Sequence, residues 1–269
     1  MAVTHLIVGA GNMGGALLSG WLRDSQVSPR NLAIIDPSPG TDAVFAIERG
    51  AKHLAGPSAI PRSVETILLA VKPQIFAAVA RDIADALEPG ALLISIMAGI
   101  GLDRLRETFP DCRVVRAMPN TPASIGQGIT AYVGGEDIDD TLRSRTEALL
   151  LASGHVLRVD EDADIDAVTA ISGSGPAYLF HLVEALESSA RSLGLNDGQA
   201  ALLARLTVLG ASGLLDASER DPQNLREAVT SPGGTTQAAL DVLMGPGGLT
   251  ELMRRATRAA WERSRELSR

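Results

Sequence analysis

Cysteine and lysine are nearly absent from this chain. Cys112 is the single cysteine in 269 residues, so no disulfide framework or thiolate metal site can form within one copy. Lys52 and Lys72 are the only lysines, and no run of basic residues suggests a nucleic-acid or membrane surface. The net charge is −8. No HxxxH, CxxC or carboxylate pair at metal spacing occurs, so no metal is expected. No apolar run approaches the roughly 20 residues of a membrane span. The start, Met1 to His5, runs into a strand with no basic leader, which leads us to expect a soluble cytoplasmic protein.

Two rhythms divide what is present. Up to about Val159, short apolar runs alternate with helical patterns. The strand candidates are His5–Val8, Leu32–Ile35, Thr66–Val71, Ala91–Ile96, Cys112–Arg116, Ile129–Val133 and His155–Val159. Helical patterns lie between most of them, as at Met13–Asp24, Thr41–Arg49 and Gln74–Leu87. This alternation predicts an α/β fold with a mostly parallel, doubly wound sheet. After the acidic stretch at residues 160–164 the strand signals stop. Helices are expected at Ile165–Ile171, Pro176–Leu193, Asp197–Ala217, Pro222–Val229, Thr236–Met244 and Thr250–Leu267. The boundary therefore falls between residues 1–160 and 161–269. The apolar stripes of the helical half are broader than a one-sided surface helix needs, which favours a homodimer over an intrachain bundle.

Gly9-Ala10-Gly11-Asn12-Met13-Gly14 follows the first strand and opens a helix. That context fits a dinucleotide turn, in which backbone N–H groups meet a pyrophosphate. Asp36 ends the second strand, 22 residues past Gly14, where a carboxylate accepts from a ribose 2′-hydroxyl and repels a 2′-phosphate. NADH then fits better than NADPH, although Asp36 could instead cap the turn before Pro37. Ala70-Val71-Lys72-Pro73 ends another strand, at the edge where ligands bind. Lys72 could meet cofactor phosphates or ribose, or be a solvated lysine. Ala98 and Gly99 are small residues beside the expected nicotinamide path. Asn120, in Met118-Pro119-Asn120-Thr121-Pro122, offers neutral hydrogen bonds near the crevice.

Two glycine loops interrupt the helical half. Ser172-Gly173-Ser174-Gly175-Pro176-Ala177-Tyr178 breaks two helices, either to free backbone donors or to let helices cross closely. Ser231-Pro232-Gly233-Gly234-Thr235-Thr236 carries two glycines that each weaken a helix by roughly 1 kcal/mol. Exposed N–H groups and two hydroxyls there suit a small carboxylate. His5, His53, His155 and His181 fall outside every one of these loops. A ketone reductase usually needs a strong proton donor, whereas a protonated C=N bond is already electrophilic. An imine is the better substrate.

Together these residues resemble the pyrroline-5-carboxylate reductase family, nearly end to end. The matching motifs are GAGNMG at Gly9–Gly14, AVKP at Ala70–Pro73, MPNTP at Met118–Pro122, SGSGPAY at Ser172–Tyr178 and SPGGTT at Ser231–Thr236. The resemblance implies an N-terminal Rossmann domain and a helical dimerisation and substrate-binding domain. It implies an active site at the dimer interface and, in some members, rings of dimers. The implied reaction is hydride transfer from NADPH or NADH to the imine carbon of 1-pyrroline-5-carboxylate, giving L-proline. Gly233, Gly234, Thr235 and Thr236 would hold the substrate carboxylate. Glu219 would approach the ring nitrogen, unless it is simply an exposed acid before a helix, and Thr236 is the other candidate to deliver the proton. Asp36 departs from members that favour NADPH. Ala55-Gly56-Pro57-Ser58 lacks an asparagine that some members carry before the next strand. A β-hydroxyacid dehydrogenase would look to a lysine in its helical half, which this chain lacks, and a non-catalytic nicotinamide sensor is the remaining alternative.

Overall fold

Leu6, Ile7 and Val8 are all buried, as expected of a parallel strand covered on both faces. In this computed structural model, which describes residues 2–268, they belong to β1 (His5–Val8) of an eight-stranded sheet. The other strands are β2 (Leu32–Ile35), β3 (Lys52–His53), β4 (Thr66–Leu69), β5 (Leu92–Ser95), β6 (Arg113–Met118), β7 (Gly128–Gly134) and β8 (Gly154–Arg158). They line up in the order β3-β2-β1-β4-β5-β6-β7-β8. Every pairing is parallel except β6 with β7. Residues 119–127, which join those two strands, are too few for a crossover helix. The first six positions follow the doubly wound dinucleotide order. The two-residue β3 is an addition to the expected strands. It is too short and too exposed to leave an apolar signature.

Side-chain alternation sorts the core onto the two faces of the sheet. Ile7, Ile34, Leu68 and Ile94 point with Leu17, Leu18 and Trp21 of α1 (Asn12–Arg23), Ala43 and Ala46 of α2 (Thr41–Glu48), and Leu149 and Leu150 of α5 (Asp140–Leu151). Leu6, Val8, Ile67 and Leu93 point instead toward Phe76 and Ile83 of α3 (Pro73–Ala86) and Leu105 of α4 (Leu102–Thr108). The buried Trp21 indole donates to the Leu149 carbonyl at 2.8 Å, so its polar edge is satisfied. A third small cluster packs Ile165 of α6 (Asp164–Val168) against Ala131 and Val133 of β7.

The chain divides into two compact units, residues 1–174 with 260–269, and residues 175–259. The structural division thus lies later than the expected boundary at 160/161, and the last ten residues belong to the first unit. Polar contacts of Ser264 and Ser268 explain their placement, as described below. The expected break at Ser172–Gly175 is also corrected. Residues Thr169–Gly173 form a π-helical turn, with the Ser174 N–H donating to the Thr169 carbonyl at 2.8 Å, and α7 (Gly175–Ser192) follows directly. Glycine there widens the helix rather than ending it.

The second unit is entirely helical: α7, α8 (Asp197–Asp216), α9 (Pro222–Ala228), α10 (Thr235–Leu243) and most of α11 (Leu249–Leu267). Asn196 and Gln199 close a capping box at the start of α8, and Asp221 caps α9 just before Pro222. Among its described residues only Ala200 and Ala204 are buried, while Leu202, Leu203, Leu206 and Leu209 are each more than half exposed. Contrary to the expectation of no span-length apolar segment, α8 is long and apolar enough to cross a membrane by length and composition. Arg205 lies at its middle. The same broad apolar face is what a helix needs to meet a second copy.

Candidate active site

The turn after β1 holds three glycines for three different reasons. Gly9 has φ +89°, and a Cβ there would fall 2.7 Å from the Ala70 carbonyl oxygen. A Cβ on Gly14 would overlap the Gly9 carbonyl oxygen, so α1 can approach the strand only with glycine. A Cβ on Gly11, by contrast, would meet no protein atom within 4 Å. The fold does not require glycine at that exposed position, but a ligand approaching the backbone would. Nor does any side chain cap α1, and its first turn has no acidic residue. The N–H groups of Asn12, Met13 and Gly14 therefore open onto Gly11 without a competing acceptor in the helix. These residues fit a pyrophosphate.

Asp36 is half-buried and already engaged. Its Oδ2 accepts from the Ala10 N–H at 2.6 Å and its Oδ1 accepts from the Ser38 N–H at 2.8 Å. His53 Nε2 lies 2.9 Å from the Asp36 carbonyl oxygen. The carboxylate thus performs the turn-capping role and also ties β2 to the glycine turn. Two of its roughly four lone-pair sites remain for a ribose hydroxyl, so the two expected readings of Asp36 are compatible.

Three further loops leave the same carboxyl edge. Ala70 and Val71 follow β4, and their backbone abuts Gly9. Lys72 is exposed at the N-cap of α3, with Pro73 as the first helical residue. After β5, Met97 is buried and Ala98 is exposed. Gly99 has φ +73°, and a Cβ there would lie 3.0 Å from the Cβ of Leu267. Its smallness therefore serves its own backbone and the end of α11, a cause that nothing local in the sequence signals. Asn120 is buried, and its Oδ1 accepts from the Ile129 N–H at 3.0 Å. That acceptor pins the loop to β7, leaving the amide NH₂ as the group it can offer a ligand. Cys112 is also buried, and burial, aided by Asp111, pushes its thiol up to about 11. It is not a thiolate at neutral pH.

In the second unit, residues 231–234 form a turn closed by the Gly234 N–H donating to the Ser231 carbonyl at 3.0 Å. Gly233 takes φ +70° within it. That internal bond occupies the Gly234 N–H, which corrects its expected use as a free donor. Gly234 then acts as the N-cap of α10, with no side chain capping the helix. The first-turn N–H groups of Thr235, Thr236 and Gln237 have no acceptor inside the helix. With the half-buried Thr236 side chain they present neutral donors of the kind that suits a small anion. Glu219 lies exposed in the segment between α8 and α9.

One functional candidate escaped the sequence reading. Arg116 in β6 is 2% exposed, and its Nη1 donates to Asp162 Oδ1 at 2.8 Å. Its Nη2 lies 3.5 Å from Asp166 Oδ1. Ser264 of α11 donates to that same Asp166 oxygen at 2.7 Å. An arginine inside the apolar run Val114-Val115-Arg116-Ala117 was the available signal, since a buried guanidinium demands acids nearby.

Comparison with known proteins supplies the family context. Residues 162–267 match the family model described as pyrroline-5-carboxylate reductase dimerisation. Residues 5–99 match NADP oxidoreductase coenzyme F420-dependent. The chain is similar to the pyrroline-5-carboxylate reductase of Pseudomonas aeruginosa, at 38% identity over 97% of this chain and 95% of that one. Among solved structures, one described as a pyrroline-5-carboxylate reductase from Coxiella burnetii is 34% identical, with a TM-score of 0.90 over 99% of each chain. Another, the Plasmodium falciparum pyrroline carboxylate reductase with NADP bound, is 27% identical, with a TM-score of 0.85 over 99% of this chain and 98% of that one.

Proposed function

Because the chain belongs to the pyrroline-5-carboxylate reductase family, we propose that it reduces 1-pyrroline-5-carboxylate to L-proline, with NADH preferred over NADPH. The uncapped start of α10 carries this reading. A small carboxylate accepts from the Thr235 and Thr236 N–H groups and from the Thr236 hydroxyl, without any cationic side chain. No lysine lies in this half of the chain, and the substrate needs none, because its protonated C=N bond is already electrophilic.

The first unit's residues hold the cofactor. The turn Gly9–Gly14 takes the pyrophosphate on the first-turn N–H groups of α1. Asp36 accepts a ribose hydroxyl and disfavours a 2′-phosphate by charge repulsion. Lys72 lies at the edge where phosphate or ribose would pass. Once bound, the dihydronicotinamide supplies a hydride to the imine carbon, which becomes C5 of proline. The proton that activates the ring nitrogen comes, before the hydride, from solvent, from Glu219 or through Thr236. Orienting the two reactants supplies much of the rate. The chain works as a cytoplasmic homodimer, whose second copy covers the leucines of α8.

Purified protein should oxidise NADH only when 1-pyrroline-5-carboxylate is added. Absence of turnover with either NADH or NADPH would overturn the assignment. Replacing Thr236 with Ala should raise KM for the imino acid with a smaller effect on kcat, and an unchanged KM would remove Thr236 from the site.

A further inference from the structure

The buried Arg116 gathers three segments that come from distant parts of the sequence. Asp162, whose Oδ1 binds the guanidinium, uses its Oδ2 to accept from the Leu102 N–H at 3.1 Å. It thereby fixes the far end of the loop that follows β5, while a Cβ on Gly101 would fall 3.2 Å from the same oxygen. Asp166, facing the other guanidinium nitrogen, is 7% exposed and accepts from Ser264 at 2.7 Å and from Ser268 at 3.3 Å. The Ser268 hydroxyl also donates to the Ser264 carbonyl at 3.0 Å. These contacts fasten the C-terminal end of α11 beside Gly99, where Leu267 sits. Asp166 lies three residues before the π-helical turn, whose Gly173 lies so close to Met118 that a Cβ there would be 3.0 Å from the Met118 Cε.

Stability alone does not account for this arrangement. The Nε of Arg116 is buried without an acceptor. An apolar side chain would fill such a place at less cost than a partly satisfied guanidinium. What the arginine adds is alignment. It connects the loop after β5, the segment at residues 162–166 and the end of α11, and the first of these leaves the carboxyl edge where a nicotinamide cofactor binds in a doubly wound sheet.

We propose that Arg116, Asp166 and Ser264 are positioning residues for the nicotinamide site, and that the end of α11 acts as a wall fixing the Met97–Gly101 loop in its cofactor-binding shape. None of the three side chains has to touch the cofactor. Their effect passes through Asp162 to the Leu102 N–H and through Leu267 to Gly99. This inference rests on the nicotinamide-binding reading of the first unit and is independent of the imino-acid assignment.

The test is cofactor affinity in the full-length protein, measured by NADH fluorescence without substrate, alongside kcat and KM for NADH and the melting temperature. Asp166→Asn keeps the shape and an acceptor for Ser264 but removes the charge facing Arg116. A chain shortened after Glu266 removes Leu267 and Ser268 and leaves Arg116 paired. Both should bind NADH about tenfold more weakly. At saturating cofactor, kcat should stay within about twofold of the parent, since uniform binding rather than chemistry is lost. If NADH affinity is unchanged while the melting temperature falls, the network only holds the fold and the proposal is wrong. Should Asp166→Asn fail to fold, Ser264→Ala, which keeps the ion pair, decides the matter by the same affinity measurement. A parent protein that binds NADH but does not turn over 1-pyrroline-5-carboxylate would count against the substrate assignment, while the positioning role would still be decided by the NADH affinity of the variants.

Discussion

The Ala10 N–H and the Asp36 carboxylate meet at 2.6 Å, joining the glycine turn of β1 to the end of β2. One carboxylate therefore shapes the glycine turn, and on the proposed reading it would also present a negative charge to a bound ribose. Replacing Asp36 with Ser should shift the ratio of kcat/KM values for NADH and NADPH toward NADPH by about tenfold, the effect of roughly 1.4 kcal/mol. An unchanged ratio would confine Asp36 to its turn-capping role.

Gly11 and Gly14 separate ligand binding from folding. Gly14→Ala drives a methyl into the Gly9 carbonyl oxygen and should cost about 1–3 kcal/mol by overpacking. Gly11→Ala meets nothing within 4 Å, so its melting temperature should match the parent, while NADH affinity drops by about tenfold. Equal melting and equal affinity for Gly11→Ala would place the pyrophosphate elsewhere.

The exposed leucines of α8 predict the state of assembly. Leu206 and Leu209 are 55% and 58% exposed, and burying the exposed half of each in a dimer would contribute about 1 kcal/mol. Sedimentation of the parent should give at least twice the chain mass, and the double variant Leu206→Glu, Leu209→Glu should lose that association. A parent that sediments as a monomer would contradict the dimer.

His5 sets a pH dependence of stability. Burial, with a smaller contribution from the charge of Arg145, lowers its pKa below the ordinary 6.5. The unfolded chain then takes up a proton at a higher pH than the folded one. Stability should fall as pH drops below 6.5 and be fully present above it. Urea unfolding at about pH 7.5 and about pH 5.5 should show this loss, and His5→Gln should reduce it. A variant with the same pH slope as the parent would clear His5 of the effect.

Periodicity makes much of the fold legible in the sequence. β1 and β2 begin and end where their apolar runs do, because a strand buried on both faces leaves a continuous hydrophobic signature. β3 has no such signature, being two exposed residues paired to β2. The glycines at 173 and 175 signal a break, yet Thr169–Gly173 is a π-helical turn, because such glycines look the same in sequence whether they end a helix or widen it. At the site, Gly9, Gly14 and Gly233 could be picked out by motif, since each needs a conformation or a clearance that favours glycine. Gly99 reads in sequence as a small residue beside a cofactor, whereas its smallness serves contact with the end of α11. Its neighbour, Leu267, is distant in the chain.

The sequence by itself determined the alternation of strands and helices, the phosphate turn, the shortage of lysine that points toward an imine, and the glycine–threonine cradle. Each of these is a local matter of side-chain period, backbone freedom or residue chemistry. Tertiary structure alone decided that Asp36 binds the turn it faces, that Arg116 lies buried between Asp162 and Asp166, and that Ser264 closes the network from the far end of the chain. Those relationships depend on which residues the sheet order brings within hydrogen-bonding distance. Separations of 26 residues for Ala10–Asp36 and 98 for Asp166–Ser264 leave no periodic trace in a sequence.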